Sequence, residues 1–185
     1  MTNLPEPPIY GDQREMLIAF IDVQRETLLW KLEGLSDHQL RARNDVTGFS
    51  LLGLLKHLIR VERSWFQVRL MGEELDADPN DDTAWIPTTE ETFERLAIEY
   101  REAWERSNTI ARELPLDHHT VVHRATYGAR SLQWVLLHML EEVARHLGHA
   151  DVIRQSIDGA TGVNAAYERR RTQAQMDSPT NKKEP

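Results

Sequence analysis

Residues 131–150 read SLQWVLLHMLEEVARHLGHA, and the pattern of this stretch decides the fold class. Its apolar residues recur at the spacing of an α-helix and define one face of that helix. The centre of the face is formed by Leu132, Met139, Val143, Ala150 and Ile157. Ser131 is a good N-capping residue, so the sequence predicts one long helix from Ser131 to about Ile157, ending before Gly159.

Three further segments show the same helical period, over about 12–34, 50–72 and 88–115. The residues expected to be buried on them include Phe20, Trp65 and Val68. A capping-box pattern at Ser36 and Gln39 predicts a short additional helix over Asp37 to Arg41. Because no convincing set of strands is present, the sequence predicts an all-α four-helix bundle. Each connection exceeds a tight turn, so the helix directions stay open.

Length and charge limit the function classes. The 185 residues are enough for one domain, expected over 1–162, with 163–185 as a polar, disordered tail. The net charge of -8 argues against nucleic acid or an anionic membrane surface as the main partner, because both attract positive charge. The sequence contains no cysteine, which excludes disulfides, thiolate ligands and a cysteine nucleophile. Without a signal-peptide or membrane-span pattern, a cytoplasmic protein is expected.

Ionisable residues lie on the inner side of the helix predicted over 131–157. At roughly 100° per residue, His138, Glu142, His146 and His149 fall within an arc of about 80°. His146 and Glu142 lie nearest the apolar centre, followed by His149 and then His138. An unpaired buried carboxylate is costly, so Glu142 needs a compensating charge. A divalent cation would supply it, since a Glu/His pair at i, i+4 points both side chains at one site.

A third ligand is available on the helix predicted after Ser50. His57 lies on the apolar side of that helix, between Leu54 and Leu58. The spacing alone leaves a second interpretation open, because histidines on apolar faces are often hydrogen-bonded core residues. Glu142 could also pair with a neighbouring histidine as an ordinary i, i+4 contact.

Several stretches resemble the DinB-like superfamily. The first is TGFSLLGLLKHL at 47–58, followed by VERSWF at 61–66, and the second is the stretch at 131–150 quoted above. A similar opening stretch, FIDVQRETLLWKLEGLSD at 20–37, extends the likeness to about 12–159. The motifs look most like an uncharacterised actinobacterial branch. That superfamily includes YfiT-like metal proteins, mycothiol-dependent maleylpyruvate isomerase and bacillithiol transferases.

The resemblance implies a DinB/YfiT-like four-helix bundle in which one histidine and two residues four apart hold a metal. Carried over to this sequence, the ligands are His57, Glu142 and His146. Histidine is commoner at the position of Glu142, although the maleylpyruvate isomerase branch is similar to this chain in carrying a carboxylate there. His149 stands where glutamine is usual, so it could add a fourth contact or hydrogen-bond a ligand. Homodimers are also implied by the resemblance.

Three protein ligands leave coordination positions for water or substrate, which is typical of a catalytic site. Zinc fits two imidazoles and a carboxylate, with nickel, iron or manganese as alternatives. Since the chain has no cysteine, a thiol would come from a small molecule such as mycothiol or bacillithiol, as the family implies. We therefore expect a metal-dependent thiol S-transferase or thiol-assisted isomerase acting on small electrophiles. His149 and His138 are candidates for orienting a ligand or moving a proton.

Two other functions use the same residues. The chain could be a noncatalytic metal-binding bundle, or a metal-dependent hydrolase with water as the nucleophile. The histidines at 118, 119 and 123 are interpreted as part of a solvated loop whose role stays open. Trp134 falls on the outer side of its helix, where it would suit a dimer face or a substrate contact.

Overall fold

The computed structural model describes residues 7–75, 78–123 and 128–162, and this part of the chain is helical. The α-helices are α1 (Gln13–Leu32), α2 (Asp37–Arg41), α3 (Leu51–Glu62), α4 (Phe93–Glu113) and α5 (Leu132–Asp158). A π-helical segment, Arg63–Leu70, continues α3, and a 3-10 helix, Asp82–Trp85, lies in the next connection. Within the described ranges the only β-type pairing is an isolated bridge between His119 and Ser131. The prediction of an all-α fold is confirmed.

Capping side chains start the helices at most of the predicted positions. Asp12, Ser50 and Ser131 each accept a hydrogen bond from a backbone N–H in the first turn of α1, α3 and α5. Ser36 and Gln39 form the predicted capping box of α2. The helix α5 ends at Gly159, whose φ of 74° suits glycine.

The start of α4 differs from the prediction. The helix begins at Phe93, because Thr92 is the residue whose side chain caps it, by accepting from the N–H of Arg95. Thr88 and Glu91 belong to a separate turn, in which the backbone N–H of Thr88 donates to the Glu91 carboxylate. The helical segment predicted from about residue 88 therefore starts with a turn, and the helix itself begins at Phe93.

Contacts made by α1 show the directions of its neighbours. Arg14, at the start of α1, donates to the carbonyl oxygens of Ala111 and Leu114 at the end of α4, so these helices are antiparallel. Lys31, at the end of α1, pairs with Asp151 near the end of α5 at 2.7 Å, so α1 and α5 run parallel. The first and last long helices thus lie side by side.

The helices α3 and α4 also run parallel, which the sequence left open. Ion pairs between them advance in step, from Lys56 with Glu91 at 2.8 Å to Arg63 with Glu99 at 3.4 Å. The end of α3 and the start of α4 therefore lie at opposite ends of the bundle, and the order of directions of the four long helices is up, down, down, up. The connection between them carries the 3-10 helix back to the start of α3.

The π-helical segment changes which residues of the third long helix are buried. Phe66 and Leu70 are buried, whereas Trp65 and Val68 are only half-buried, contrary to the prediction. A π-helix has i→i+5 hydrogen bonds, so its faces depart from the 3.6-residue period used for the prediction. As a result Trp65 lies at the edge of the core rather than inside it.

A charged network crosses the core between α1, α3 and α4. Arg25 is fully buried, and its Nε and Nη2 each lie 2.7 Å from an oxygen of Glu62. Its Nη1 donates to Asp22 at 2.8 Å and to Asn108 at 2.9 Å. Arg25 thus occupies the inner face of α1, and Phe20, which was predicted to be buried, is 43% exposed. Full pairing is what makes such a burial tolerable.

The described helices include none with the combined length and hydrophobicity needed to cross a membrane. The tail predicted over 163–185 lies outside the described residues. A single domain over 1–162 stays a prediction.

Candidate metal centre

Three side chains predicted from the sequence converge between α3 and α5. The Nε2 atoms of His57 and His146 each lie 3.3 Å from the same oxygen, Oε1 of Glu142. One potential ligand atom from each residue lies within 4.8 Å of the other two. Since His57 belongs to α3 and the other two to α5, the cluster joins two antiparallel helices.

Helix geometry explains why the three residues meet. Glu142 and His146 are four residues apart, so α5 presents both on one face. His57 lies in the second turn of α3, which starts at the Ser50 cap, and its side chain is 6% exposed. His146 is 8% and Glu142 21% exposed, so the carboxylate is the member that solvent can reach.

A tryptophan that the sequence analysis did not select fixes the His57 ring. The indole of Trp85 stacks on the imidazole with ring centres 3.6 Å apart and an angle of 14°. Trp85 ends the 3-10 helix, which packs on α3 at Gly53. A Cβ at Gly53 would lie 2.5 Å from the carbonyl oxygen of Trp85, so only glycine permits this approach.

Phe49 completes an aromatic wall on this side of the cluster. Its ring stacks on Trp85 at 4.9 Å and contacts the ring of His149 at 5.1 Å. Phe49 directly precedes the Ser50 cap of α3, and Trp85 lies in the connection between α3 and α4. Their signal in the sequence is a large apolar ring within an otherwise polar loop.

The electrostatics of the cluster favour an ionised Glu142 carboxylate beside a neutral His57 imidazole. Hydrogen bonding from His146 and His57 holds the pKa of the Glu142 carboxyl far below its usual range. Burial lowers the pKa of His57 despite the opposing effect of Glu142. An ionised carboxylate and a neutral imidazole are the forms in which these groups bind metals.

The two weaker candidates lie on opposite sides of the cluster. Nδ1 of His149 is 3.4 Å from Nδ1 of His146, so His149 contacts the cluster through that ring and stays outside the converging set. His138 stacks on Trp134 at 5.0 Å and meets the edge of Trp65 at 4.9 Å. Burial lowers the pKa of both His138 and His149.

A cleft of about 430 Å³ opens beside the cluster, and His57, Glu142 and His138 face it. Trp134, predicted to lie on the outer side of α5, is 39% exposed and also lines the cleft. Of the histidine-rich connection, His123 reaches the cleft lining. The cluster therefore has access to a small molecule of substrate size.

The donor set suits a divalent cation of borderline softness. Two imidazole nitrogens and one carboxylate oxygen are ligands that zinc accepts, and three protein ligands leave a position for a further group. The Glu142 carboxylate would supply negative charge that compensates part of the charge of such a cation. The side chains present at His57, Glu142 and His146 therefore fit a catalytic type of metal site.

Comparison with known proteins agrees with this geometry. Among curated proteins none matches the sequence significantly. A family model described as mycothiol-S-transferase matches residues 16–159, which include α1 through α5 almost completely. The matched region also contains all three residues of the cluster. By this match, which covers most of its length, the chain belongs to the mycothiol-S-transferase family.

Proposed function

We propose that this protein is a metal-dependent transferase that joins a low-molecular-weight thiol, mycothiol by family, to a small electrophile. The observation that carries the proposal is the convergence of two imidazoles and one carboxylate beside an open cleft. Membership of the mycothiol-S-transferase family supports the thiol as cosubstrate. The lack of cysteine agrees with it, because the reacting sulfur has to come from outside the chain.

The metal ligands in this proposal are His57, Glu142 and His146, and zinc is the metal that suits them best. A divalent cation bound there would stabilise the thiolate form of the cosubstrate near neutral pH. Trp85 keeps the His57 ring in its plane through the 3.6 Å stack. His149, in contact with His146, orients that ring from the other side.

The remaining roles concern the proton and the electrophile. In the transfer, the thiolate sulfur forms a bond to the electrophilic carbon, and the leaving group departs with its electron pair. The thiol proton is released first, and His138 is placed in the cleft wall to accept it as a neutral imidazole. The indoles of Trp65 and Trp134 provide an apolar surface for the electrophile.

Metal analysis tests the ligand set. We expect the purified protein to hold close to one equivalent of zinc, or of nickel, iron or manganese, and His57→Ala to lose it. His119→Ala is the matched control, because His119 is exposed and lies outside the cluster. Equal metal content in both variants would refute the assignment of His57.

A transfer assay tests the reaction. The zinc-loaded protein is mixed with mycothiol, or with bacillithiol, and chlorodinitrobenzene, and product formation is compared with the uncatalysed rate. Turnover that depends on thiol and metal supports the proposal. Absence of turnover with every physiological thiol contradicts it, and ester hydrolysis without thiol would instead identify a metal-dependent hydrolase.

A further inference from the structure

Arg69 and Arg130 line the cleft, and the backbone of each is hydrogen-bonded to residues 120–122. The carbonyl oxygen of Arg69 accepts from the N–H groups of Val121 and Val122 at 2.8 and 3.1 Å. The N–H of Arg130 donates to Oγ1 of Thr120 at 3.1 Å, and its carbonyl oxygen accepts from the N–H of Thr120 at 2.9 Å. Residues 120–122 therefore hold the two arginines at one place.

Each arginine head group lies over an indole ring. Cζ of Arg69 is 4.5 Å from the ring centre of Trp65, and Cζ of Arg130 is 5.1 Å from that of Trp134. The two indole centres are 5.4 Å apart. Stacking restricts the orientation of a guanidinium, and the planar fork of N–H groups that it carries matches a carboxylate in shape. The pair of rings thus presents two oriented guanidinium groups.

The charge of the cleft lining is opposite in sign to that of the chain. Among the described residues that line the cleft, Arg69 and Arg130 carry permanent positive charge, and Glu142 is the only carboxylate. Glu142 is engaged by the two histidines of the cluster. In a protein of net charge -8, this cleft is therefore a local positive region that concentrates anionic ligands.

We propose that the electrophile carries a carboxylate, which Arg69 and Arg130 bind. The inference rests on the proposed transferase function, because it assigns the substrate class of that site. The carboxylate contacts the guanidinium groups, the conjugated part of the molecule lies in the cleft that Trp65 and Trp134 help to line, and the reacting carbon faces Glu142 and His57. The two arginines, the two indoles, Glu142 and His57 all line the same cleft.

A chloronitrobenzoate is a suitable substrate probe. In the reaction the sulfur of the thiolate forms a bond to the ring carbon that bears chlorine. The carbon–chlorine bond then breaks, and chloride leaves with the electron pair, while the thiol proton passes through His138 to the buffer. The carboxylate takes no part in the bond changes and serves only for binding.

Binding is tested by calorimetry with the unreactive probes 3-nitrobenzoate and 3-nitrobenzamide, in the absence of thiol. We expect the benzoate to bind roughly tenfold tighter or more, because hydrogen bonds to charged groups are stronger than neutral ones. Arg69→Gln and Arg130→Gln should each remove most of that preference. Arg112→Gln, which removes the same charge outside the cleft, should leave it unchanged.

The second experiment measures turnover. It compares 4-chloro-3-nitrobenzoate with the corresponding amide at a fixed concentration of mycothiol. We expect the anion preference to appear in KM and to be lost in Arg130→Gln, with Arg130→Lys restoring part of it. Equal binding of benzoate and benzamide would overturn the inference even if the transferase is active. Benzoate binding without any turnover would locate the failure in the proposed function, leaving the anion site intact.

Discussion

At the scale of single residues, Glu142 is the centre of the candidate site. One of its oxygens lies 3.3 Å from a nitrogen of each of two imidazoles, which come from different helices. Its neighbour Glu141 is exposed and forms an i, i+4 pair with Arg145. Adjacent glutamates on one helix thus have different environments, and the difference follows from a rotation of about 100° around the axis.

The adjacent glutamates give a matched test. We expect Glu142→Gln to weaken zinc binding by more than about a hundredfold, since losing even an indirect partner of a ligand costs 10–100-fold. Glu141→Gln should leave zinc affinity unchanged. The measurement is a competition titration with a chelator of known affinity. Similar affinities for the two variants would exclude the Glu142 carboxylate as a ligand.

The buried pair of Arg25 and Glu62 allows a prediction about stability. Glu62→Gln leaves a guanidinium in the core with only part of its charge compensated by Asp22, so we expect a loss of roughly 3–5 kcal/mol. Glu15→Gln breaks an exposed pair with Arg112 and should change stability by less than about 1 kcal/mol. Urea unfolding followed by circular dichroism distinguishes them. Equal urea midpoints for the two variants would mean that Asp22 alone compensates the charge of Arg25.

At the scale of elements, the site depends on the contact between α3 and the 3-10 helix Asp82–Trp85. The 3-10 helix brings Trp85 against His57, and it can do so because Gly53 presents no side chain to the Trp85 carbonyl. The π-helical segment Arg63–Leu70, which follows α3, also determines which side chains face the cleft. It turns Trp65 and Arg69 toward the cleft instead of the core.

Two helical glycines provide the test of that contact. Gly53→Ala should destabilise the protein by about 1–3 kcal/mol, because the new methyl group overlaps backbone and the Ser50 cap. It should also weaken metal binding by displacing Trp85. Gly148→Ala, in open space on α5, should stabilise by up to about 1 kcal/mol through helix propensity. Thermal unfolding of both variants checks the opposite signs.

At the scale of the whole molecule, the bundle has a core that does not depend on the cluster. Buried, mostly aliphatic residues from all four long helices pack in one continuous set, and His57 and His146 are not among its members. A metal at these histidines would bind a structure that the core already holds together. Independence of the core from the metal is expected for a catalytic site. At a structural metal site, by contrast, the protein folds only when the metal binds.

Metal removal tests that separation. We expect the chelated protein to keep its helical circular dichroism and cooperative unfolding. Zinc at a hundred times its dissociation constant should add only about 2.7 kcal/mol to the free energy of unfolding. Collapse of the helical signal on chelation would instead support the noncatalytic metal-binding bundle.

Sequence spacing predicted the cluster but not its surroundings. His57, Glu142 and His146 lie on helices, where the position in the sequence fixes the direction of a side chain. Trp85 belongs to a long connection, whose path depends on a distant contact with Gly53. Arginine is usually a surface residue, so the sequence gives no sign that Arg25 is buried. Its burial is explained by its partners in the folded protein, Glu62 on α3 and Asn108 on α4.

The parallel neighbours α1 and α5 have a consequence for synthesis on the ribosome. As the nascent chain emerges, α1 is among the first helices made, yet the helix that covers much of its inner face is the last. Until then the aliphatic side of α1 stays exposed, a state in which chaperones bind and aggregation begins. A chain terminated before α5 would also contain His57 without Glu142 and His146, so the proposed ligand set would exist only once synthesis has passed His146.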